Sequence, residues 1–328
     1  MDSATTPRLT VSLGFWQDRP AGEALATAQA AERLGYDELW VGEMATYDAF
    51  ALATAVGLRT ERIRLTVGPL AVPVRDPMTI ARGAASVADL TGRRVDVALG
   101  TSSPMVVEAW HGRDRSRSLT RLRESVTVLR ELLDGGKPAF TGRTVGSRGY
   151  RLRLDAPKSE LTVAAFGDGA VRVAGAAADR MVLNLITPES AASLVGRLRE
   201  AAREAGRPVP KVAAWVSAAV DPSEEAIEQI RRAVVGYLAA PGYAEMFVEA
   251  GFADVVAFAR TRPHPRELLA AVPVDLVRSV ALVGDEKAVR ERIAAYARAG
   301  VDEIALLAAS VDSDPAGEAT LAALSPAR

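Results

Sequence analysis

Short apolar runs alternate with longer segments of helical period along most of this chain. Leu9–Leu13, Glu38–Val41, Ile63–Leu70 and Arg94–Leu99 read as strands. So do Leu161–Phe166, Met181–Leu185, Val212–Val220 and Glu303–Leu307. These runs are short for helices and too apolar to have a wet face. Between them lie helical patterns at Ala21–Leu34, Asp48–Leu58, Met78–Leu90 and Ser118–Leu133, then from Gly169, from Pro188 and at Lys287–Ala299. A strand apolar on both faces needs cover on both sides, so the alternation predicts a parallel sheet wrapped by helices. Eight such units favour closure into a (β/α)8 TIM barrel of the α/β class. Gly35 and Gly300 each end a helix just before an acidic pair leads into a strand, which predicts left-handed helix stops.

The pattern breaks twice. Residues 135–160 are rich in Gly, Arg and Pro without a period and include FTGRTVGSRGYRLRL, which reads as a hairpin. Residues 223–275 are mainly helical and too long for one crossover. The expectation is a single barrel domain over residues 1–328, with insertions at about 135–160 and 223–275 near the mouth, the second a helical lid.

Candidate chemistry gathers after the fourth strand, in Arg93 to Gly112. Its apolar run ends at Gly100-Thr101-Ser102-Ser103-Pro104, small residues that leave backbone open to a ligand above the strand end. Trp110-His111 follows, with one of the two histidines in the chain. Among the 328 residues, 40 lysines and arginines nearly balance 41 acids, for a net charge of -1. No long-range field therefore draws the protein to nucleic acid or an anionic membrane. Cysteine is absent, which excludes disulfides, thiolate nucleophiles and Cys-ligated zinc. The opening MDSATTPRL lacks a signal-peptide pattern and no run reaches membrane-spanning length, so the expected location is cytoplasmic. No Gly-rich dinucleotide fingerprint, Walker motif or Gly-x-Ser-x-Gly elbow occurs, and no residues have metal-ligand spacing. A site so poor in reactive side chains suits a cofactor that carries the chemistry.

Several segments in order resemble the luciferase-like monooxygenase superfamily, in its deazaflavin (coenzyme F420) dependent oxidoreductase branch. They are Leu13-Gly14-Phe15-Trp16, Leu39-Trp40-Val41-Gly42-Glu43, Arg59 to Leu65, Val72 to Pro77, and Gly100 to Gly112. The resemblance runs from Leu9 to about Leu307. It implies a bacterial luciferase-like barrel with an isoalloxazine-like ring across the C-terminal strand ends, hydride transfer at ring atom C5, and a homodimer. It also implies a cis peptide bond at the end of the third strand, which falls at Gly68–Pro69. A prolyl bond adopts cis far more readily than others. Two departures stand out: Met44 follows Glu43 where relatives carry His, and Ser103 stands where some carry a proton-donating Glu.

Gly167-Asp168-Gly169 opens a helix after the fifth strand, and a first helical turn offers unpaired N–H groups to an anion. The family likeness makes this the cofactor phosphate site, against a plain tight turn. Arg180, in Ala178-Asp179-Arg180, is a further candidate to approach that anion. Pro69, Gly100, Thr101 and Ser102, with Gly68, are expected to support the ring. Phe15, Trp16, Met44, Tyr47 and Trp110 are expected to line the substrate pocket, with Trp40 a candidate for its apolar floor. Glu43 and His111 are the candidate proton donors, ahead of Tyr47, Asp48 and Glu108. Glu43 has an equal alternative as the ion-pair partner of an arginine such as Arg75. The expected activity is hydride transfer between coenzyme F420 and a small organic substrate, at a C=C or C=N bond in either direction. The alternatives are an FMN-dependent monooxygenase and a non-catalytic barrel that binds a phosphorylated ligand.

Overall fold

A computed structural model describes residues 6–14, 19–43 and 45–327. Among the described residues, eight parallel strands alternate with helices in the (β/α)8 barrel architecture, with one further short parallel strand in the same sheet. Contacts divide the chain into two compact units, one from segments 1–35, 183–195 and 213–328, the other from 36–182 and 196–212.

The second unit carries β2 (Glu38–Val41), α2 (Ala49–Arg59), β3 (Arg64–Ala71), α3 (Pro77–Thr91), β4 (Val95–Gly100), α4 (Ser118–Leu133), β7 (Leu161–Ala164) and α5 (Asp168–Ala177). It also holds most of β8 (Arg180–Asn184). The strands pair in parallel, with Glu38 opposite Arg64, Leu65 opposite Val95, Val97 opposite Leu161 and Thr162 opposite Arg180. Every residue of β2 and β4 is buried, as the unbroken apolar runs require. Asp48 caps α2 and Asp76 caps α3, where Pro77 starts the helix and Gly92 ends it in the left-handed region. Residues 135–160 hold β5 (Ala139–Thr141) and β6 (Gly146–Arg148), paired antiparallel.

The first unit contains β1 (Arg8–Ser12), α1 (Glu23–Arg33), β9 (Lys211–Val220), α12 (Glu286–Arg298) and β11 (Glu303–Ala308). β11 pairs in parallel with both β1 and β9. Gly35 and Gly300 have φ of +86° and +88°, the left-handed stops read from the sequence. Residues 223–275 form α7 (Glu224–Val235), α8 (Tyr243–Glu249), α9 (Ala253–Arg260), α10 (Pro265–Ala271) and the opening of α11 (Val274–Val280). A short strand absent from the sequence reading, β10 (Leu282–Gly284), pairs with the end of β9. α6 spans Pro188–Glu204 and α13 spans Glu318–Ala323. Among the described residues no helix is long and apolar enough to cross a membrane.

The second unit buries a charge cluster. Glu38, fully buried, receives Thr66 Oγ1 at 2.6 Å, Arg64 Nη2 at 2.6 Å and Arg180 Nη2 at 2.9 Å. Arg180 also donates to Thr66 and Thr162, and its guanidinium lies 4.3 Å from the centre of the Trp40 ring. Two of the sequence expectations are corrected here. Arg180 is turned into the strand layer by a buried carboxylate and does not approach an anion outside. Trp40 is fully buried against that guanidinium and is core, not the floor of a ligand site.

Candidate active site

The register between β3 and β4 shifts between Val67 and Leu70, so Gly68 and Pro69 together face a single residue, Ala98. The Gly68–Pro69 bond is cis, at the position the family resemblance assigned. Gly68 has φ +121°, and a Cβ there would lie 2.2 Å from the Ala98 carbonyl oxygen, so only glycine fits the bulge. A Cβ added at Gly100, the end of β4, would stand 3.5 Å from Pro69 Cβ. Pro69 and Gly100 thus form one small-residue ledge at neighbouring strand ends.

Beyond the ledge, Ser102 is in the left-handed region at φ +58°. Its carbonyl accepts both Arg115 Nε at 3.1 Å and Nη2 at 2.6 Å, which fixes the loop from below. Residues 105–110 form a short π-helix, a form that often marks functional sites. His111 ends it and is exposed, as is Trp110 at 55%. Arg115 and the π-helix lay outside the sequence reading. A loop arginine eleven residues past a serine–proline pair gives no signal of which carbonyl it holds.

Glu43, at the end of β2, is clamped by Arg75: Nε donates to one carboxylate oxygen at 2.6 Å and Nη2 to the other at 2.8 Å. Arg75 also bonds Asp48 and packs over Phe50. Both acids hold the guanidinium's pKa above its ordinary value. For Asp48, burial opposes the charge, yet the Arg75 bond and the first N–H groups of α2 bring its carboxyl below the usual range. The ion-pair alternative for Glu43 is thus the arrangement present. A carboxylate whose oxygens are both engaged by a guanidinium is an acceptor, poorly set up to hand over a proton. Tyr47 is exposed beside this cluster in sequence.

Gly167 is the N-cap of α5 and provides no side-chain cap, and a Cβ at Gly167 would meet nothing within 4 Å. The Ala170 amide donates to the Gly167 carbonyl at 3.0 Å, while Gly167 and Asp168 are exposed at the positive end of the helix dipole. Asp168, which would repel an anion, is drawn aside by an ion pair with Arg197. Gly169 has a different reason for being small: a Cβ there would lie 2.5 Å from Leu119 Cδ1, so α5 packs closely on the first turn of α4. This donor set fits a phosphate group.

The hairpin β5–β6 is tied to α4 by Glu124. Its carboxylate accepts the Arg143 and Thr144 amides, each at 2.8 Å, the Thr144 hydroxyl at 2.6 Å and the Val145 amide at 3.0 Å. Burial opposes the charge, but these donors, led by the Thr144 hydroxyl, bring the pKa down to about 2. The unfolded chain takes up this proton near 4.5 and the folded chain near 2. The stabilisation is therefore complete above pH about 4.5 and declines as pH falls through that window. Glu124→Gln is expected to lower stability at neutral pH by about 1–3 kcal/mol, the cost of leaving buried donors without their acceptor. It should also flatten the acid limb of a denaturation midpoint plotted against pH. A variant whose midpoint still falls as steeply would place the acid sensitivity elsewhere.

Phe15, Trp16 and Met44 lie outside the described residues. Gly68, Pro69 and Gly100 come together with Thr101 and Ser102 at one rim, while Glu43 and Asp48 meet on Arg75. Among the described residues, no three His, Cys, Asp or Glu side chains stand close enough to hold a metal.

Barrels of the α/β class carry their ligand sites at the C-terminal strand ends, where this chain places the bulge of β3 and the small residues that end β4. The luciferase-like monooxygenase family model matches residues 5–303, and the chain belongs to that family. A Mycobacterium tuberculosis (strain ATCC 25618 / H37Rv) protein with the provisional name coenzyme F420-dependent oxidoreductase Rv3520c is 25% identical over 338 residues, 93% of this chain and 96% of that protein. The 5,10-methylenetetrahydromethanopterin reductase of Methanopyrus kandleri is 22% identical over 299 residues, 84% of this chain and 86% of that protein. A solved F420-dependent secondary alcohol dehydrogenase, in complex with an F420-acetone adduct, aligns at TM-score 0.81 and 21% identity, covering 98% of this chain and 99% of that one. At that identity the likeness is one of fold.

Proposed function

We propose that this chain is a coenzyme F420-dependent oxidoreductase that moves hydride between the cofactor and a small organic substrate, at a C=C or C=N bond in either direction. The observation that carries this reading is the uncapped start of α5 at Gly167, in a chain whose relative over 93% of its length bears an F420-dependent name. When bound, the deazaflavin supplies hydride chemistry at its C5. The backbone N–H groups of Asp168 and Gly169, opened by Gly167, would hold the phosphate. Gly68, Pro69, Gly100, Thr101 and Ser102 would hold the ring end, where the absence of bulk lets a flat group approach the backbone. Tyr47 and Trp110, both exposed, would line the substrate side.

His111 is the proton-bearing group in this reading. An imidazole both donates and accepts hydrogen bonds, and no carboxylate pairs with His111 among the described residues. Glu43, held by Arg75, is a fixed charge beside it in function, not a donor. Titrating the protein with coenzyme F420 and with FMN, followed by absorbance and fluorescence, tests the cofactor. Saturable binding of F420 is expected, and saturation by FMN alone would overturn the reading in favour of a flavin monooxygenase. Steady-state kinetics test the proton role: His111→Asn should slow turnover by about 10²-fold or more with cofactor affinity unchanged. If Glu43→Gln is the slow variant and His111→Asn is not, the proton belongs to Glu43.

A further inference from the structure

We propose that the arginine-lined cavity between the β3–α3 loop, the start of α4 and the β5–β6 hairpin is a binding site for a small polyanion, a ligand bearing two or more phosphate or carboxylate groups. The cavity has a volume of about 610 Å³ and shares no lining residue with the cofactor site proposed above. Four guanidinium groups line it, from Arg113, Arg117, Arg121 and Arg143, against two carboxylates, Asp76 and Asp114.

Those carboxylates are spent on neutral donors. Asp76 accepts the Thr79 amide at 2.9 Å and the Thr79 hydroxyl at 2.7 Å, as the cap of α3. Asp114 accepts the Ser116 amide at 2.9 Å and hydroxyl at 2.6 Å, with Arg117 near enough to favour its charge. No carboxylate among the described residues forms an ion pair with Arg113, Arg117, Arg121 or Arg143. Guanidinium groups stay charged at any physiological pH, so the lining carries a net positive charge of two.

One guanidinium of the four, and the backbone that carries a second, are held in place before any ligand arrives. Arg121 Nε donates to the Val72 carbonyl at 2.8 Å, which leaves its terminal N–H groups free of that bond. Arg143 rides on the turn that Glu124 secures through its amide at 2.8 Å. Preorganised guanidinium forks match the oxygens of phosphates and carboxylates and lose little freedom on binding them. A cavity of this size is larger than one phosphate needs and suits a ligand with several anionic groups.

Calorimetric titration of the full chain with inorganic pyrophosphate and, separately, with citrate tests the site, with sodium chloride at matched ionic strength as the reference. Saturable one-to-one binding of at least one probe is expected, and the stronger of the two tells phosphate from carboxylate chemistry. Arg113→Gln/Arg143→Gln should weaken it by about 10-fold or more, the scale of a lost charge-assisted hydrogen bond. Arg59→Gln, on the exposed end of α2, should leave it unchanged. If the double variant does not fold, Arg113→Gln and Arg117→Gln singly carry the same comparison. Displacement of the probe by coenzyme F420 would assign the cavity to the charged end of that cofactor, and coexistence to a separate ligand. No saturation by either probe, or equal binding by the arginine variants, would overturn the proposal. Because the probes have no redox chemistry, this result stands whether or not F420 binds.

Discussion

Gly167→Asp is expected to weaken cofactor binding by about 10- to 100-fold while leaving the protein as stable as before or slightly more so. The backbone there, φ −86° and ψ 157°, is the extended conformation in which Asp serves as an N-cap. A new side chain would meet nothing within 4 Å. The added carboxylate would accept the same first-turn N–H groups that the phosphate is proposed to use. For the free protein this adds a few tenths of a kcal/mol over glycine. For the complex it replaces attraction with repulsion, and the Asp168 charge already nearby is balanced by Arg197 while the new one is not. Thermal denaturation and fluorescence titration read the two effects separately. Their opposite signs make the test sharp, because a Gly167 needed only for the turn would change stability and leave affinity alone. The affinity loss should shrink at high salt, as screened repulsion does. Gly169 is the poorer position for this test, since any side chain there also disturbs Leu119.

The barrel elements are legible because strands such as β2 and β4 are buried on both faces and helices such as α3 and α4 present an apolar stripe. Glu38–Val41 and Ser118–Leu133 match the observed β2 and α4 at both ends. β10 was not legible, because three residues squeezed between α11 and α12 carry no period of their own. The π-helix at 105–110 was not legible, since its extra residue per turn leaves no mark in side-chain type. Candidate positions at strand ends, such as Gly100 and Gly167, are legible because a change from apolar run to small residues marks where a strand stops. Their partners could not. Arg197 reaches Asp168 and Arg75 reaches Glu43 across 29 and 32 residues of sequence, and only the packing of neighbouring strands and helices within one unit brings such pairs together. Arg180 shows the same limit from the other side: its place at the first position of β8 does not say which way the strand turns it.

That direction sets the largest stability effect expected in this protein. Arg180→Met should cost about 3–5 kcal/mol, because it strips a fully buried Glu38 of a buried cation at 2.9 Å. Methionine keeps much of the length and the contact with Trp40, so the loss is electrostatic more than steric. Arg64 still reaches Glu38 at 2.6 Å, but that arginine is partly exposed and is screened by water. Glu38→Gln/Arg180→Met removes both charges and should recover most of the loss, since a neutral pair no longer pays to leave water. Chemical denaturation of the wild type, both single variants and the double variant gives the coupling directly. A single-variant cost under about 1 kcal/mol, or a double variant no more stable than Arg180→Met, would mean that the cluster is not closed on itself. Cofactor affinity of folded Arg180→Met should equal that of the wild type. A tenfold weaker complex would return Arg180 to the anion site and require β8 to turn the opposite way.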